Sequence, residues 1–317
     1  MQITLFKHQK EYIEKYWDTS ARGLWFEMGT GKSLCVLLTL AAQVRAGKFA
    51  NMLVVAPNGA HSNFGREVMK YLPESRLLVY SSRRDMDQTR RTKDLLTHTH
   101  GVRILCVNVE ALSYPKSEAV SLCRSFLKTA PTMFTLDESW CIGNPGANRS
   151  KVVRELAPLS PSRRALNGTV IADTPFTAWA QLEFLQRGCT GMNYFQFTHE
   201  HGIYEQAFYG PRSFKKVVGF KRLDRLNRLL EQYGDFVAKK DCLDLPDKTY
   251  VEFDVEMSPE QRKIYTMVKN GIAVQLEGGF VEPISAMALL ETLHNITIGF
   301  VKHADGKIEW ISMDRIE

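Results

Sequence analysis

An α/β fold, a parallel sheet with helices on both faces, is what this chain predicts, and two observations carry the expectation. Short apolar runs rich in β-formers recur at residues 23–26, 52–56, 103–107, 132–136 and 163–166, with helically spaced segments such as 34–45 and 63–71 between them. That alternation argues for parallel strands covered on both sides. The second observation is the first run itself, which breaks into Met28-Gly29-Thr30-Gly31-Lys32-Ser33 and resumes as Leu34-Cys35-Val36-Leu37-Leu38. A strand, a turn of exposed backbone N–H groups and a helix N-terminus make a cradle for a nucleoside triphosphate.

Composition narrows the classes. With 317 residues, 44% of them hydrophobic, the chain can bury a substantial core in one large domain or two modest ones. The formal net charge of +6 is compatible with a polyanionic partner and too small to identify one. The six cysteines are scattered without a C-x-x-C pair, which predicts reduced core thiols in a cytoplasmic compartment. The longest apolar run, residues 34–42, is too short to span a bilayer, and no leader pattern follows Met1, so neither membrane insertion nor export is expected.

Past residue 185 the texture turns aromatic and basic. Residues 1–185 are therefore expected to form the nucleotide-binding lobe and 186–317 a helical and strand extension of it. Residues 249–257 alternate acid and apolar side chains at period two, predicting a strand with one wet face. Ser258-Pro259-Glu260-Gln261 then puts a hydroxyl at N-cap, proline at N1 and glutamine at N3, a capping box opening a helix. Lys215, Lys216, Lys221, Arg222, Arg225 and Arg228, near Phe214 and Phe220, could grip phosphates or simply form a solvated helix face.

The candidate site residues follow from phosphate chemistry. Met28, Gly29, Thr30 and Gly31 would present backbone amides to the phosphates, Lys32 would neutralise the β and γ oxygens, and the Ser33 hydroxyl would reach Mg²⁺. Phe26 stands where the first glycine of G-x-x-x-x-G-K-[ST] belongs, so the pattern is incomplete, and a glycine-rich helix start accounts for the same residues. Hydrolysis also needs a carboxylate at the end of a neighbouring strand, and Asp137 and Glu138 directly follow the run 132–136. Asp137 would hold Mg²⁺ and Glu138 would polarise the attacking water as general base.

In order along the chain, Leu5-Phe6-Lys7-His8-Gln9, Glu27 through Ser33, Val54-Val55-Ala56-Pro57, Asp137-Glu138-Ser139-Trp140 and Leu166-Asn167-Gly168-Thr169 resemble the motifs of superfamily-two helicases, specifically the Swi/Snf-like branch. The run Lys239-Lys240-Asp241 to Pro246-Asp247-Lys248, with Ser258 to Gln261 and Tyr265, is similar to a downstream stretch of that branch, and the Asp-Glu-Ser form resembles its compact bacteriophage versions. The resemblance implies a RecA-like lobe using ATP and Mg²⁺ and holding DNA mainly through its phosphate backbone. It makes Gln9 a reader of the adenine edge, and it gives Pro57, Asn58, His61 and Asn63, with Asn108 on a further loop, the contacts to DNA. Gly168 and Thr169 would couple hydrolysis to that contact. The implied activity is ATP-dependent translocation or helicase action on duplex or branched DNA.

Two departures bear on coupling. Asp-Glu-Ala-His is the usual acidic motif, so Trp140 is expected not to make the bonds a histidine makes to the Gly-Thr motif, and Val170 replaces the usual proline after Thr169. The family closes its ATP site with arginines from a second RecA-like lobe. Residues 289–300 resemble the stretch that ends the first half, so that lobe is expected outside these 317 residues. The alternative is an ATP- or DNA-binding interaction module with degenerate motifs at Phe26, Trp140 and Val170 and no motor activity. A P-loop GTPase or small-molecule kinase is disfavoured, since no Asn-Lys-x-Asp motif occurs.

Overall fold

The computed structural model describes residues 4–83, 86–98, 100–171, 173–209, 212–242, 251–252, 254–271, 274–276, 279–281, 286–303 and 307–312. Two compact units divide the chain at Leu245 and Pro246. In the first, helix α1 (Lys7–Tyr16) precedes an alternating series: β1 (Ala21–Phe26), α2 (Lys32–Arg45), β2 (Asn51–Ala56), α3 (Ala60–Tyr71), β3 (Arg76–Val79), α4 (Met86–Thr97), β4 (Arg103–Asn108), α5 (Glu118–Thr129), β5 (Thr132–Leu136), α6 (Asn148–Leu156), β6 (Ser162–Leu166) and α7 (Thr177–Leu185). Then come α8 (Tyr194–His201), the hairpin β7 (Gly202–Tyr209) and β8 (Arg212–Phe220), α9 (Leu223–Tyr233), β9 (Gly234–Val237) and the short α10 (Lys239–Cys242).

Seven strands form one sheet in the order β3-β4-β2-β5-β6-β1-β9, every neighbouring pair parallel. This is the parallel α/β sheet that the strand and helix alternation predicts, in the RecA-like form that the resemblance implies. Period-two alternation sorts the strand side chains onto two faces. Leu24, Phe26, Met52, Val54, Ile104, Cys106, Met133 and Leu166 pack with apolar residues of α1, α2 and α3. Trp25, Leu53, Val55, Leu105, Val107, Phe134, Leu136 and Ala165 pack on the other face with residues of α5, α6, α7 and α9. Both faces are dry, which is why the runs read as continuously apolar.

The seventh strand, β9, lies beyond residue 185, so the sheet takes its edge from the segment that texture marked as an extension. Gly234 is required there: a Cβ would stand 2.0 Å from Trp25 Nε1. Arg22 Nε donates to Asp235 Oδ2 at 2.7 Å and the Tyr16 hydroxyl donates to Asp235 Oδ1 at 2.9 Å, fastening β9 to β1 and α1. Half of the basic cluster of this region is paired. Arg222 and Arg225 pair with Glu200, and Arg228 pairs with Asp224.

In the second unit α11 (Pro259–Lys269) opens as the sequence predicts. Ser258 Oγ accepts from the Gln261 N–H at 3.2 Å and Gln261 Oε1 accepts from the Ser258 N–H at 2.9 Å. Helix α12 (Ala286–Ile298) packs beside it, with Ile264, Val268, Ile296 and Val301 in a small core. The strand expected at 249–257 is corrected in part: residues 249, 250 and 253 lie outside the described residues, and 251–252 and 254–257 form no strand. Val251 and Val255 are 63% and 44% exposed, so the apolar side of the expected alternation is not buried at these two positions.

Candidate active site

The loop after β1 turns because Gly29 and Gly31 adopt left-handed backbone, with φ of +83° and +86°. A Cβ on Gly31 would also stand 2.2 Å from Gln9 Nε2. Thr30 Oγ1 donates to the Glu27 carbonyl at 2.8 Å, and Gln9 Nε2 donates to the Thr30 carbonyl at 3.0 Å. Gln9 Oε1 accepts from the Phe6 N–H at 3.1 Å, closing the cap of α1. Gln9 is thus buried between the cap of one helix and the loop leading into the next.

Lys32, the first residue of α2, donates from Nζ to the Phe26 carbonyl at 2.9 Å and to the Glu27 carbonyl at 3.4 Å, which folds the ammonium back over the loop. Burial lowers its pKa, and Glu138 and then Asp137 oppose the shift, so both carboxylates lie within electrostatic reach of this one cation. The Ser33 hydroxyl, half-buried in the same helical turn, has no hydrogen-bond partner among the described residues.

The carboxylates are set by the end of β5. The Asp137 N–H donates to the Val55 carbonyl at 2.8 Å, extending the β2–β5 ladder, and Asp137 Oδ1 accepts from the Glu138 N–H at 3.0 Å. Burial first, and then the neighbouring Glu138, push the Asp137 carboxyl up to about 6. Glu138 itself is held at φ +47°, a left-handed conformation that a non-glycine adopts at a cost of about 1–2 kcal/mol. Trp140 Nε1 donates to Glu138 Oε2 at 2.8 Å. The indole therefore contacts the acidic motif and, as expected, makes no bond to the Gly-Thr motif among the described residues.

The link between those motifs runs from Ser139 and Asn167, which belong to them, through Gln181, which sequence reasoning missed. Ser139 Oγ donates to Gln181 Oε1 at 2.6 Å, Asn167 Nδ2 donates to the same oxygen at 3.1 Å, and Gln181 Nε2 donates to the Val170 carbonyl at 2.8 Å. Asn167 Oδ1 accepts from the Thr169 N–H at 3.1 Å. Ser139, Asn167 and Gln181 are completely buried. Gln181 sits in an apolar helix with no local pattern to flag it; a lone glutamine among Ala180, Leu182 and Phe184 was the available signal. Gly168 lies on the phosphate loop, where a Cβ would meet Met28 Cγ at 3.5 Å and the Phe26 carbonyl at 3.8 Å.

The residues expected to touch DNA leave the sheet at β2 and β4. Ala56 and Asn108 are register partners, so the loop after β2 and Asn108 share one stretch of the carboxyl edge. Asn58 is exposed and Pro57 half-buried, while His61 is buried. Asn63 is exposed with Oδ1 accepting from Arg66 at 3.0 Å, and Asn108 Nδ2 donates to Glu110 at 3.4 Å. Thr169 lies between this stretch and the phosphate loop, since β5 and β6 separate β2 from β1.

Gly29 and Gly31, the Lys32 ammonium, the unpartnered Ser33 hydroxyl and the enclosed Asp137 carboxylate are the donor set that a magnesium-bound triphosphate requires. Fold and donor set together define a P-loop nucleotide-binding lobe. The chain belongs to the SNF2-related domain family, whose profile matches residues 8–297. It is 25% identical over 256 residues to the chromatin-remodeling ATPase INO80 of Arabidopsis thaliana, an alignment covering 78% of this chain and 16% of that protein. Protein CHROMATIN REMODELING 20 of Arabidopsis thaliana is 27% identical over 259 residues, covering 75% and 17%. The Sulfolobus solfataricus SWI2/SNF2 ATPase core in complex with dsDNA superposes with a TM-score of 0.57 at 21% identity, over 85% of this chain and 53% of that one. The same core domain in a second structure gives 0.55 at 20% identity, covering 85% and 51%. The chain thus spans about a sixth of the length of the curated relatives and about half that of the solved cores. No helix among the described residues is long and apolar enough to cross a membrane.

Proposed function

We propose that this chain is the first lobe of an ATP-driven DNA translocase or helicase, working in the cytoplasm on duplex or branched DNA. The observation that carries the reading is that Lys32, at the carboxyl end of β1, lies within electrostatic reach of Asp137 and Glu138, at the carboxyl end of β5, with only β6 between the two parallel strands. Lys32 would leave the Phe26 and Glu27 carbonyls to neutralise the phosphates, and Glu138, tethered by Trp140, would orient the attacking water. Ser33 and Asp137 would hold Mg²⁺, which supplies charge neutralisation to the β and γ phosphates when bound. Gln9 would face the adenine side of the loop.

DNA would run along Pro57, Asn58, His61, Asn63, Asn108, Gly168 and Thr169, held mainly by its phosphates and without sequence preference. The SWI2/SNF2 core whose fold this chain shares was solved with dsDNA, which supports a duplex as the track. A second RecA-like lobe of the full-length protein would complete the site with its arginines. The bacteriophage-type placement rests on the Asp137-Glu138-Ser139 form of the acidic motif alone.

Phosphate release by the full-length protein, with and without duplex DNA, tests the reading. Wild type is expected to hydrolyse ATP faster with DNA, and Lys32→Ala to abolish the stimulated rate. Retained activity in Lys32→Ala would remove this site from the mechanism, and absence of DNA stimulation in wild type would favour the non-motor module.

A further inference from the structure

The phosphate loop has a second lysine beside it, and the sheet puts it there. Strand β9 runs parallel to β1 with Trp25 opposite Phe236 and Phe26 opposite Val237, so the chain leaving β9 emerges next to the chain leaving β1. The Glu27 N–H donates to the Val237 carbonyl at 2.9 Å, continuing the ladder into the loop. The Lys239 N–H in turn donates to Glu27 Oε2 at 2.5 Å. With Asp235 fastened to Arg22 and Tyr16, these bonds fix where Lys239 begins.

Its side chain lies along Gly29. A Cβ on Gly29 would meet Lys239 Cε at 3.3 Å and Nζ at 3.5 Å. Lys239 is half-buried, and its ammonium has no hydrogen-bond or carboxylate partner among the described residues. The Glu27 carboxylate engages the backbone of Lys239. Two ammonium groups, Lys32 and Lys239, therefore converge on a five-residue turn whose glycines expose amide donors, and like charges brought together this way repel unless a polyanion lies between them. A solvated surface lysine would have no reason to lie over Gly29. Lys240, the next residue, is exposed and serves as the example of one.

We propose that Lys239 is a second phosphate-binding cation of the nucleotide site, contributed by the edge strand β9 and positioned by Glu27, and that it favours triphosphate over diphosphate. The inference rests on the reading of the loop as a nucleotide cradle. Its physical basis is additive charge: each added negative phosphate oxygen strengthens a contact to a second cation, while Lys32 alone serves the loop in either case.

Equilibrium binding of mant-ATP and mant-ADP with Mg²⁺ to the full-length protein tests this without requiring turnover. Lys239→Met keeps the stem and removes the charge; it is expected to weaken ATP binding about tenfold and ADP binding less, with Lys239→Arg restoring most of the affinity. Lys240→Met is expected to bind as wild type. Glu27→Ala should weaken ATP binding through the same cation, so adding it to Lys239→Met should cost little more. If Lys32→Ala loses nucleotide while Lys239→Met binds both nucleotides as wild type does, the cradle stands and the inference about Lys239 is overturned. If wild type binds neither nucleotide, both fall.

Discussion

The carboxyl edge of the sheet carries two stretches built on different plans. Around β1, β5 and β6 the candidate residues include the half-buried charges of Lys32, Asp137 and Glu138 and are held by bonds within the site: Lys32 to the loop carbonyls, Asp137 to the Glu138 amide, Glu138 to Trp140, Ser139 to Gln181. Around β2 and β4 they are mostly neutral, and where bonded they bond to local neighbours, Asn63 to Arg66 and Asn108 to Glu110. The contrast follows from what each stretch would bind. A reacting triphosphate demands fixed positions of charge, since a small displacement of a catalytic group is expensive in rate. A sliding phosphate backbone demands generic donors that no single base pair needs to match.

The sharpest way to break this contrast is at Glu138. Glu138→Gln preserves shape and the capacity to accept from Trp140 while removing basicity. It is expected to lower kcat for DNA-stimulated ATP hydrolysis by about 10²–10⁴-fold, with nucleotide affinity close to wild type. A loss confined to affinity would mean that Glu138 is a binding group and that the charged stretch is organised for recognition only.

Next in size is the buried network that links the two motifs. Gln181→Leu removes the partner of Ser139 Oγ, Asn167 Nδ2 and the Val170 carbonyl, and unsatisfied buried groups cost about 1–3 kcal/mol each. Urea unfolding should show a loss of at least about 2 kcal/mol, and the Ser139→Ala/Gln181→Leu cycle should be non-additive by about 1 kcal/mol. Additive losses would show two separate packing defects. The measurement also decides how the Trp140 departure is read, because this network supplies a connection that an acidic-motif histidine is expected to make.

Asp137 gives a pH dependence whose sign is fixed. Its folded pKa, about 6, lies above the ordinary value of 3.8, so the folded state holds the proton more tightly than the unfolded chain. That contribution to stability is present below about pH 4 and is lost as pH rises through 6. Asp137→Asn has no such titration. In chelator, the stability of the variant relative to wild type should therefore grow between pH 4 and 7, by on the order of 2 kcal/mol. A flat difference would show that Asp137 is solvated and that the charged stretch is more open than its geometry indicates.

What the sequence revealed divides along the same line. The strands of the central sheet, the phosphate loop and the acid pair were legible because continuous apolar runs and a Gly-x-Gly-Lys-Ser turn have few other uses. Strands β3 and β9 were not: four residues each, with Arg76 in one and Asp235 in the other, they are strands only because the neighbouring β4 and β1 offer them ladders. The hairpin β7–β8 was read as basic and aromatic texture, since Phe208, Phe214 and Val218 are exposed and give no inward-facing alternation. Arg164 marks the limit: it is fully buried in β6, held by the carbonyls of Tyr16, Thr19 and Arg163, a tertiary arrangement that no pattern in residues 163–166 announces. Gln9, Ser139 and Gln181 likewise gain their meaning from partners distant in sequence.

The smallest effect expected lies on the polymer stretch, and its form matters more than its size. Asn58 is exposed at the end of β2 and carries no charge, so a contact from it to a phosphate would contribute a neutral hydrogen bond worth about 0.5–1.5 kcal/mol. Asn58→Ala should accordingly weaken duplex binding by the full-length protein only a few-fold. Because no counterion is released when a neutral donor meets a phosphate, the dependence of log affinity on log salt should keep its wild-type slope. A lysine or arginine contact behaves otherwise, since its removal lowers that slope by about 1. A salt titration of Asn58→Ala thus separates two constructions of the DNA side: unchanged slope with reduced affinity fits neutral donors arrayed along β2 and β4, whereas unchanged affinity moves the polymer contact off this loop, leaving the charged stretch around Lys32 as the part of the edge built for a ligand.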